Sequence, residues 1–186
     1  MEADWEFEIG GGAPVIDAHW PGFVDLGKNP ERARDFAEAQ QLPGLADVLA
    51  YLNASNSRVW TCKTDVFDPG DVDPDELDAA TDEATHALCC YIDLLPRGDG
   101  QWSSSPQVEG DCKRVCRGLS ARSLRCCRVD LVIRLAHTIS NSNDLGVTAY
   151  MTACGRNEIN AKSRLTECVA IFAEVVAAVG LSSMGA

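Results

Sequence analysis

Four stretches of the chain have the alternating or continuous apolar pattern of β-strands, each bounded by turn-forming residues. They cover residues 58–67, 87–95, 126–135 and 146–154. Between the second and third, apolar residues recur at helical spacing from Val108 to Leu119, and a wider apolar stripe runs from Leu165 to Val179. The pattern predicts the order strand, strand, helix, strand, strand, helix.

The first 56 residues follow a different pattern. Residues 5–9 alternate apolar and acidic side chains, which predicts a short edge strand. Asn29 and Pro30 are typical of a helix start, and a second helix is predicted from Pro43. We therefore divide the chain into an amino-terminal segment, residues 1–56, with an edge strand, an aromatic loop and two helices, and a β-β-α-β-β-α core domain, residues 57–186, on which it packs.

These elements predict an α+β fold, a two-layer sandwich of a mainly antiparallel, four- to five-stranded sheet with helices on one face. CCYIDLLPR, residues 89–97, is identical to CCRVDLVIR, residues 126–134, at five of nine positions. This similarity suggests a duplicated β-β-α unit. The alternative is chance similarity between two buried strands of similar composition.

Side chains along a strand alternate between faces, so the cysteines and aspartates of the similar segments point to opposite sides. Cys90 and Cys127 are assigned to the core, whereas Asp93 and Asp130 are assigned to a polar face. The predicted binding residues of that face are Lys63, Asp65, Tyr91, Asp93, Arg128, Asp130, Arg134 and Tyr150. The alternative is that this is simply the solvated side of an antiparallel sheet.

The formal net charge of −12 argues against nucleic acid or an anionic membrane as the main partner. Acidic residues dominate positions 65–83, and basic residues dominate positions 113–134. These runs either offset one another within the fold, or the basic run binds an anionic small molecule or an acidic protein. The acidic amino terminus and the lack of an apolar run of ~20 residues favour a cytoplasmic protein.

Nine cysteines, an odd number that includes two adjacent pairs, are typical of reduced, buried thiols in this pattern. Zinc binding by Cys112 and Cys116 is the alternative, although both lie on an apolar helical stripe. A calcium-loop spacing relates Asp71, Asp73, Asp75 and Asp82. Pro74 and Glu76 disagree with that motif, and residues 73–76 equally fit a helix cap with an acidic first turn. No cofactor is predicted.

Three functional hypotheses remain. The first is a binding or accessory domain that contacts a protein partner, another copy of itself or an anionic ligand through the polar face and an aromatic loop with Trp20 and Phe23. The second is a small enzyme with Asp93 or Asp130 as general base, oriented by Tyr91 and Arg128. The third is a structural domain stabilised by zinc or calcium. Because no catalytic constellation is complete, the first is preferred.

Overall fold

The computed structural model describes residues 1–10, 15–17, 22–97, 102–137 and 144–181. Within these residues there are one six-stranded sheet and four α-helices. The strands are β1 (Glu2–Phe7), β2 (Val15–Asp17), β3 (Val59–Phe67), β4 (His86–Pro96), β5 (Cys127–His137) and β6 (Asp144–Gly155). The α-helices are α1 (Ala37–Gln41), α2 (Leu45–Leu52), α3 (Ser105–Ser120) and α4 (Glu158–Leu181). Short 3₁₀ helices cover Pro30–Asp35, Asp75–Leu77 and Thr81–Glu83.

The sheet has the strand order β1-β5-β6-β4-β3, and β2 follows β1 along the same side of β5. The pairs β3/β4, β4/β6 and β5/β6 are antiparallel, whereas β1 and β2 run parallel to β5. The predicted α+β class and mainly antiparallel sheet are therefore confirmed. The sheet has six strands, not four to five, because β2 is only three residues long and too short to show a periodic pattern, and β1 covers Glu2–Phe7, not residues 5–9. The parallel amino-terminal strands add an edge whose direction the sequence pattern did not reveal.

Helices α2, α3 and α4 share one hydrophobic core with the sheet. The strand residues in that core include Cys90, Ile92, Cys127, Leu131 and Met151, as the predicted alternation requires. Gly118 of α3 lies against α4, where a Cβ atom would come within 2.6 Å of Val175 Cγ1. The absence of a side chain at Gly118 lets the two helices approach each other over the sheet.

The amino-terminal helices differ in regularity. Pro30 starts a helix as predicted, but it is a 3₁₀ helix that ends at Asp35, and the Asn29 side chain makes no capping hydrogen bond. Helix α2 agrees with the prediction, because Leu45, Val48, Leu49 and Leu52 are all buried on one face. The difference follows from packing, since the 3₁₀ segment buries only Ala33.

Asn53, at the end of α2, joins the amino-terminal segment to β3. Its Nδ2 donates to Thr61 Oγ1 at 2.7 Å and to Leu49 O at 2.8 Å, while its Oδ1 accepts from Thr61 N at 3.1 Å. The register of β3 with β4 shifts between Thr61 and Thr64, which marks a bulge. The buried amide thus satisfies strand backbone at the point where the regular ladder is interrupted.

In the part of the chain that the structure describes, no helix has both the length and the apolar character needed to span a membrane.

We expect Phe172→Ala to destabilise the fold by about 3–5 kcal/mol, because Phe172 is completely buried between α4 and the sheet. The matched control is Ile159→Ala on the same helix, where the side chain is 78% exposed and the expected change is within about 0.5 kcal/mol. Chemical denaturation monitored by circular dichroism measures both. Equal effects of the two substitutions would contradict this helix orientation.

Candidate functional site

The sheet face opposite the helix-packed core carries most of the predicted polar residues. We define this open face by Asp4, Glu6, Glu8, Asp65, Phe67, Tyr91, Asp93, Arg128, Asp130, Arg134, Thr148 and Tyr150. The strand register brings them together: Asp4 lies beside Asp130, Asp130 beside Tyr150, and Tyr91 between Tyr150 and Asp65. Residues paired across neighbouring strands share a face, so these side chains form one surface.

Both ends of this face are covered. At one end, β2 places Ile16 against Leu95 and Ala136, and a Cβ atom on Gly146 would approach Ile16 Cδ1 to 2.5 Å. At the other end, Leu77 of the 3₁₀ helix Asp75–Leu77 packs on Cys126 and Cys154. The open face is therefore the central part of the sheet surface, between two hydrophobic covers.

A groove of about 490 Å³ lies on this face over β1, β5 and β6. Its lining residues are Asp4, Trp5, Glu6, Glu8, Arg128, Asp130, Leu131, Val132, Arg134 and Tyr150. The groove wall is thus strongly polar, with acidic side chains contributed by the edge strand.

Arg134 organises the wall of the groove. Its Nε and Nη2 donate to Glu8 Oε2 at 2.9 and 2.6 Å, and its Nη1 donates to Thr148 Oγ1 at 3.0 Å and to Tyr150 Oη at 3.1 Å. The guanidinium carbon lies 5.4 Å from the centroid of the Tyr150 ring. The Arg134 side chain is only 12% exposed, its position is fixed by these hydrogen bonds, and its charge is balanced by Glu8.

Asp93 is not among the residues that line the groove. It is 6% exposed, and its Oδ1 accepts a hydrogen bond of 2.6 Å from Thr148 Oγ1. Burial raises the pKa of Asp93, against the opposing effects of the Thr148 hydrogen bond and the charges of Lys63 and Arg134. The carboxylate is joined to Arg134 through Thr148 and is not presented to solvent.

Asp130 lines the groove but is already engaged. Its two oxygens accept from Arg128 Nε at 2.8 and 2.9 Å. Burial raises the pKa of Asp130, and the nearby Asp4 and Glu76 act in the same direction, while Arg128 acts against them. Asp93 and Asp130 share a face as predicted, but they differ in depth and in partner.

Three aromatic side chains form a row across β3, β4 and β6. The ring centroids of Phe67 and Tyr91 are 6.5 Å apart, and those of Tyr91 and Tyr150 are 5.8 Å apart. Burial, and then the charge of Asp93, raises the pKa of Tyr91 to about 12. Tyr91 therefore stays protonated at neutral pH and can donate a hydrogen bond.

Lys63 and Phe23 lie away from the centre of the face. Lys63 falls in the β3 bulge and lines a smaller cavity of about 110 Å³ together with Phe36 and Glu38. The Phe23 ring packs edge-on against Trp60 at 5.7 Å, close to the cover formed by β2. Trp20, the other residue of the predicted aromatic loop, lies outside the described residues.

The residues proposed for metal binding do not converge. Cys112 and Cys116 are buried in the core, where burial raises the pKa of their thiols to about 12 and about 11. Asp82 pairs with Arg156 at 2.9 Å, and Asp73 Oδ1 accepts from Asp75 N at 3.0 Å, while Asp71 is exposed. Among the described residues, no three His, Cys, Asp or Glu side chains are grouped so that they could hold a metal ion.

The sequence pattern did not identify Glu8 as a site residue, and it placed Thr148 on the polar face without predicting a binding role for it. Glu8 meets Arg134 across 126 positions of the chain, a separation that has no local signature. The available signal was the spacing of Glu2, Asp4, Glu6 and Glu8, which places four carboxylates on one side of an extended segment. Thr148 lies two residues before Tyr150 and follows from the same alternation.

We expect Asp93→Asn to stabilise the protein at neutral pH. A carboxyl whose pKa is raised on folding is costly in its ionised form, so its contribution to stability falls as pH rises from the ordinary value of 3.8 through the raised one. The gain should shrink on acidification through that range. Denaturation between acidic and neutral pH measures it, with Asp71→Asn as the control because it makes the same substitution at an exposed position. A loss of stability at neutral pH would show that the ion is required.

Thr148→Val should destabilise the fold by about 1–3 kcal/mol, because Thr148 both donates to Asp93 and accepts from Arg134 in a fully buried position. Thr152→Val, on the same strand, is the control, since Thr152 bonds the thiol of Cys89 instead of a charged group. Equal losses of unfolding free energy in both variants would contradict the linking role of Thr148.

Comparison with known proteins found no matching family model, no similar curated protein and no similar solved structure. Function must therefore be argued from the open face itself.

Proposed function

We propose that this protein is a binding or accessory domain that contacts a protein partner through its open face. The observation that carries the proposal is the groove of about 490 Å³ on a sheet surface that is left uncovered between two hydrophobic covers. A surface with charged groups, tyrosines and an exposed phenylalanine suits protein recognition, because aromatic and arginine side chains are enriched at interfaces.

Binding is favoured over catalysis by the state of the carboxylates. Asp93 is buried and bonded to Thr148, so a substrate in the groove would not reach it without rearrangement. Asp130 holds Arg128 with both oxygens. A general base must contact the proton that it removes, whereas Asp93 is buried and both oxygens of Asp130 are hydrogen-bonded to Arg128.

A small enzyme with Asp130 as general base is the second candidate, and one observation favours it. Burial raises the pKa of this groove-lining carboxyl despite its arginine partner, as is common for acid–base groups. Catalysis would require Arg128 to move to substrate. If a catalytic activity of the protein were lost in Asp130→Asn but retained in Asp93→Asn, the hypothesis of Asp130 as general base would be favoured.

Charge favours a protein partner over an anionic small molecule. Arg134 is neutralised by Glu8, and Arg128 by Asp130, so the guanidinium groups of the face are already paired. Within the described residues, Glu6 has no ion-pair partner and adds negative charge to the groove wall. A free anion entering the groove would have to displace internal carboxylates.

The proposed architecture is a two-layer sandwich in which residues 1–56 pack on a core domain of residues 57–186. The shared core of α2, α3, α4 and one sheet face supports it. The repeated order β-β-α supports a duplication, but the similar segments do not, because they align β4 with β5. Duplicated units would instead make β3 equivalent to β5, and β4 equivalent to β6.

A reducing, cytoplasmic environment is the location that we propose. All nine cysteines lie within the described residues as buried free thiols. Several belong to apolar clusters in which burial raises the thiol pKa, as for Cys62 and Cys90, each to about 12. Such thiols behave as small hydrophobic core groups.

Photo-crosslinking in cells that express the protein tests the proposed contact. We expect p-benzoylphenylalanine placed at Glu6 or at Phe67, both exposed on the open face, to capture the same partner. The control positions are Ile159 and Tyr51, which are 78% and 52% exposed on helices, and they should not capture it. Products from the control positions alone, or from none of the four, would refute the proposal.

A further inference from the structure

The aromatic row of Phe67, Tyr91 and Tyr150 runs across the open face, and its two ends differ in their charged neighbours. At one end, Tyr150 carries the guanidinium of Arg134 beside its ring, with Glu8 accepting two hydrogen bonds from the same cation. An aromatic ring and a carboxylate together are a strong receptor for a guanidinium group, since one supplies a negative π face and the other a full charge. The protein uses this chemistry internally.

The other end has aromatic rings and a carboxylate as well, and no ion pair to that carboxylate occurs among the described residues, although the charge of Lys63 acts on the nearby Asp93. Phe67 is 36% exposed, and its ring meets that of Tyr91 at 6.5 Å with the planes tilted by 59°. Asp65 lies directly beside Tyr91 in the ladder. Its Oδ1 accepts from Val66 N at 2.7 Å, and no described basic side chain lies within ion-pair distance of it.

The surroundings of Tyr91 are acidic from several sides. The charges of Asp93, Asp65 and Glu38 all raise its pKa, after burial, and Glu38 reaches it from α1 on a separate part of the chain. The adjacent, tilted rings of Phe67 and Tyr91 are called the Phe67–Tyr91 step. A cation bound on this step would therefore be surrounded by negative charge. The chain as a whole carries a formal charge of −12, which adds long-range attraction for a positive partner.

We infer that the Phe67–Tyr91 step and Asp65 receive an arginine or lysine side chain from a basic segment of a partner protein. The cation stacks on the exposed ring and pairs with Asp65, repeating the arrangement of Arg134, Tyr150 and Glu8. Neighbouring basic side chains of the segment face the carboxylates of the groove wall. This inference rests on the proposed function and specifies the chemistry of the partner.

The test uses the full chain and a synthetic peptide of alternating arginine and serine, with isothermal titration calorimetry as the readout. Two peptides of equal length serve as probes of mechanism: one with citrulline, a neutral analogue of arginine, and one with glutamate. We expect the arginine peptide to bind and the other two to bind at least about tenfold more weakly. Equal binding of the citrulline peptide would overturn the inference.

Matched double variants separate the step from general attraction by an acidic protein. Asp65→Asn with Phe67→Ala removes one carboxylate and one exposed ring from the step, and should weaken binding about tenfold. Asp71→Asn with Phe7→Ala removes the same groups elsewhere, because Phe7 is 39% exposed on β1, and should change affinity less than about twofold. Equal losses in both variants would overturn the inference, as would no loss in the first. Circular dichroism confirms that each variant is folded.

Light scattering distinguishes another protein from a second copy. Self-association that disappears in Asp65→Asn with Phe67→Ala would identify a second copy as the occupant and overturn the inference of a separate basic partner. If crosslinking from the open face succeeds while the arginine peptide fails to bind, the partner exists but is not basic. Only the present inference then falls, whereas failure of crosslinking removes the proposed function itself.

Discussion

The burial of one set of alternating strand residues under α3 and α4 is the constraint on which the rest of the structure depends. Cys90, Ile92, Val129 and Met151 are completely buried in that layer. Because strand side chains alternate, burying these residues commits their neighbours to the opposite side. A slip of one residue would bring Asp93 or Asp130 into the core, where an uncompensated carboxylate is costly. The register of the sheet and the composition of the open face are thus set by the same packing.

The polar network adds specificity to this arrangement. Glu8, Arg134, Thr148 and Asp93 form a continuous chain of hydrogen bonds from the edge of the sheet to its centre. Buried ionic groups often add little net stability relative to apolar ones, but an unmatched partner is strongly unfavourable. The Glu8–Arg134 pair therefore disfavours other registers of β1 against β5. The Glu8–Arg134 pair thus both fixes the parallel edge strand and forms part of the groove beside it.

The sequence predicted those features of the fold that depend on the spacing of apolar residues within a single segment. All described strands except β2, together with α2 and the core helices, follow from periodicity, and the shared face of Asp93 and Asp130 follows from alternation. Alternation does not report depth, so it treated the two aspartates as equivalent, although one is buried and the other lines the groove. The covers formed by Ile16 and Leu77, and the Glu8–Arg134 pair, depend on contacts between distant segments. The acidic run also meets arginines at distant positions: Asp78 pairs with Arg125, Asp82 with Arg156 and Glu83 with Arg164.

The edge strand itself is a poor site for another strand to pair with, which agrees with the proposal that recognition uses the open face. Glu8 N donates to Ile133 O. In a parallel ladder, the backbone N–H and C=O groups of the even-numbered residues of β1 therefore point toward β5, and those of the odd-numbered residues point toward the outer edge. The outward N–H of Trp5 is already satisfied by Asp4 Oδ1 at 2.8 Å. Charged side chains along an edge also oppose strand pairing between molecules. The same carboxylates that oppose strand pairing at β1 also border the groove, so the features that suppress aggregation at the edge are the ones on which the proposed attraction of a basic partner depends.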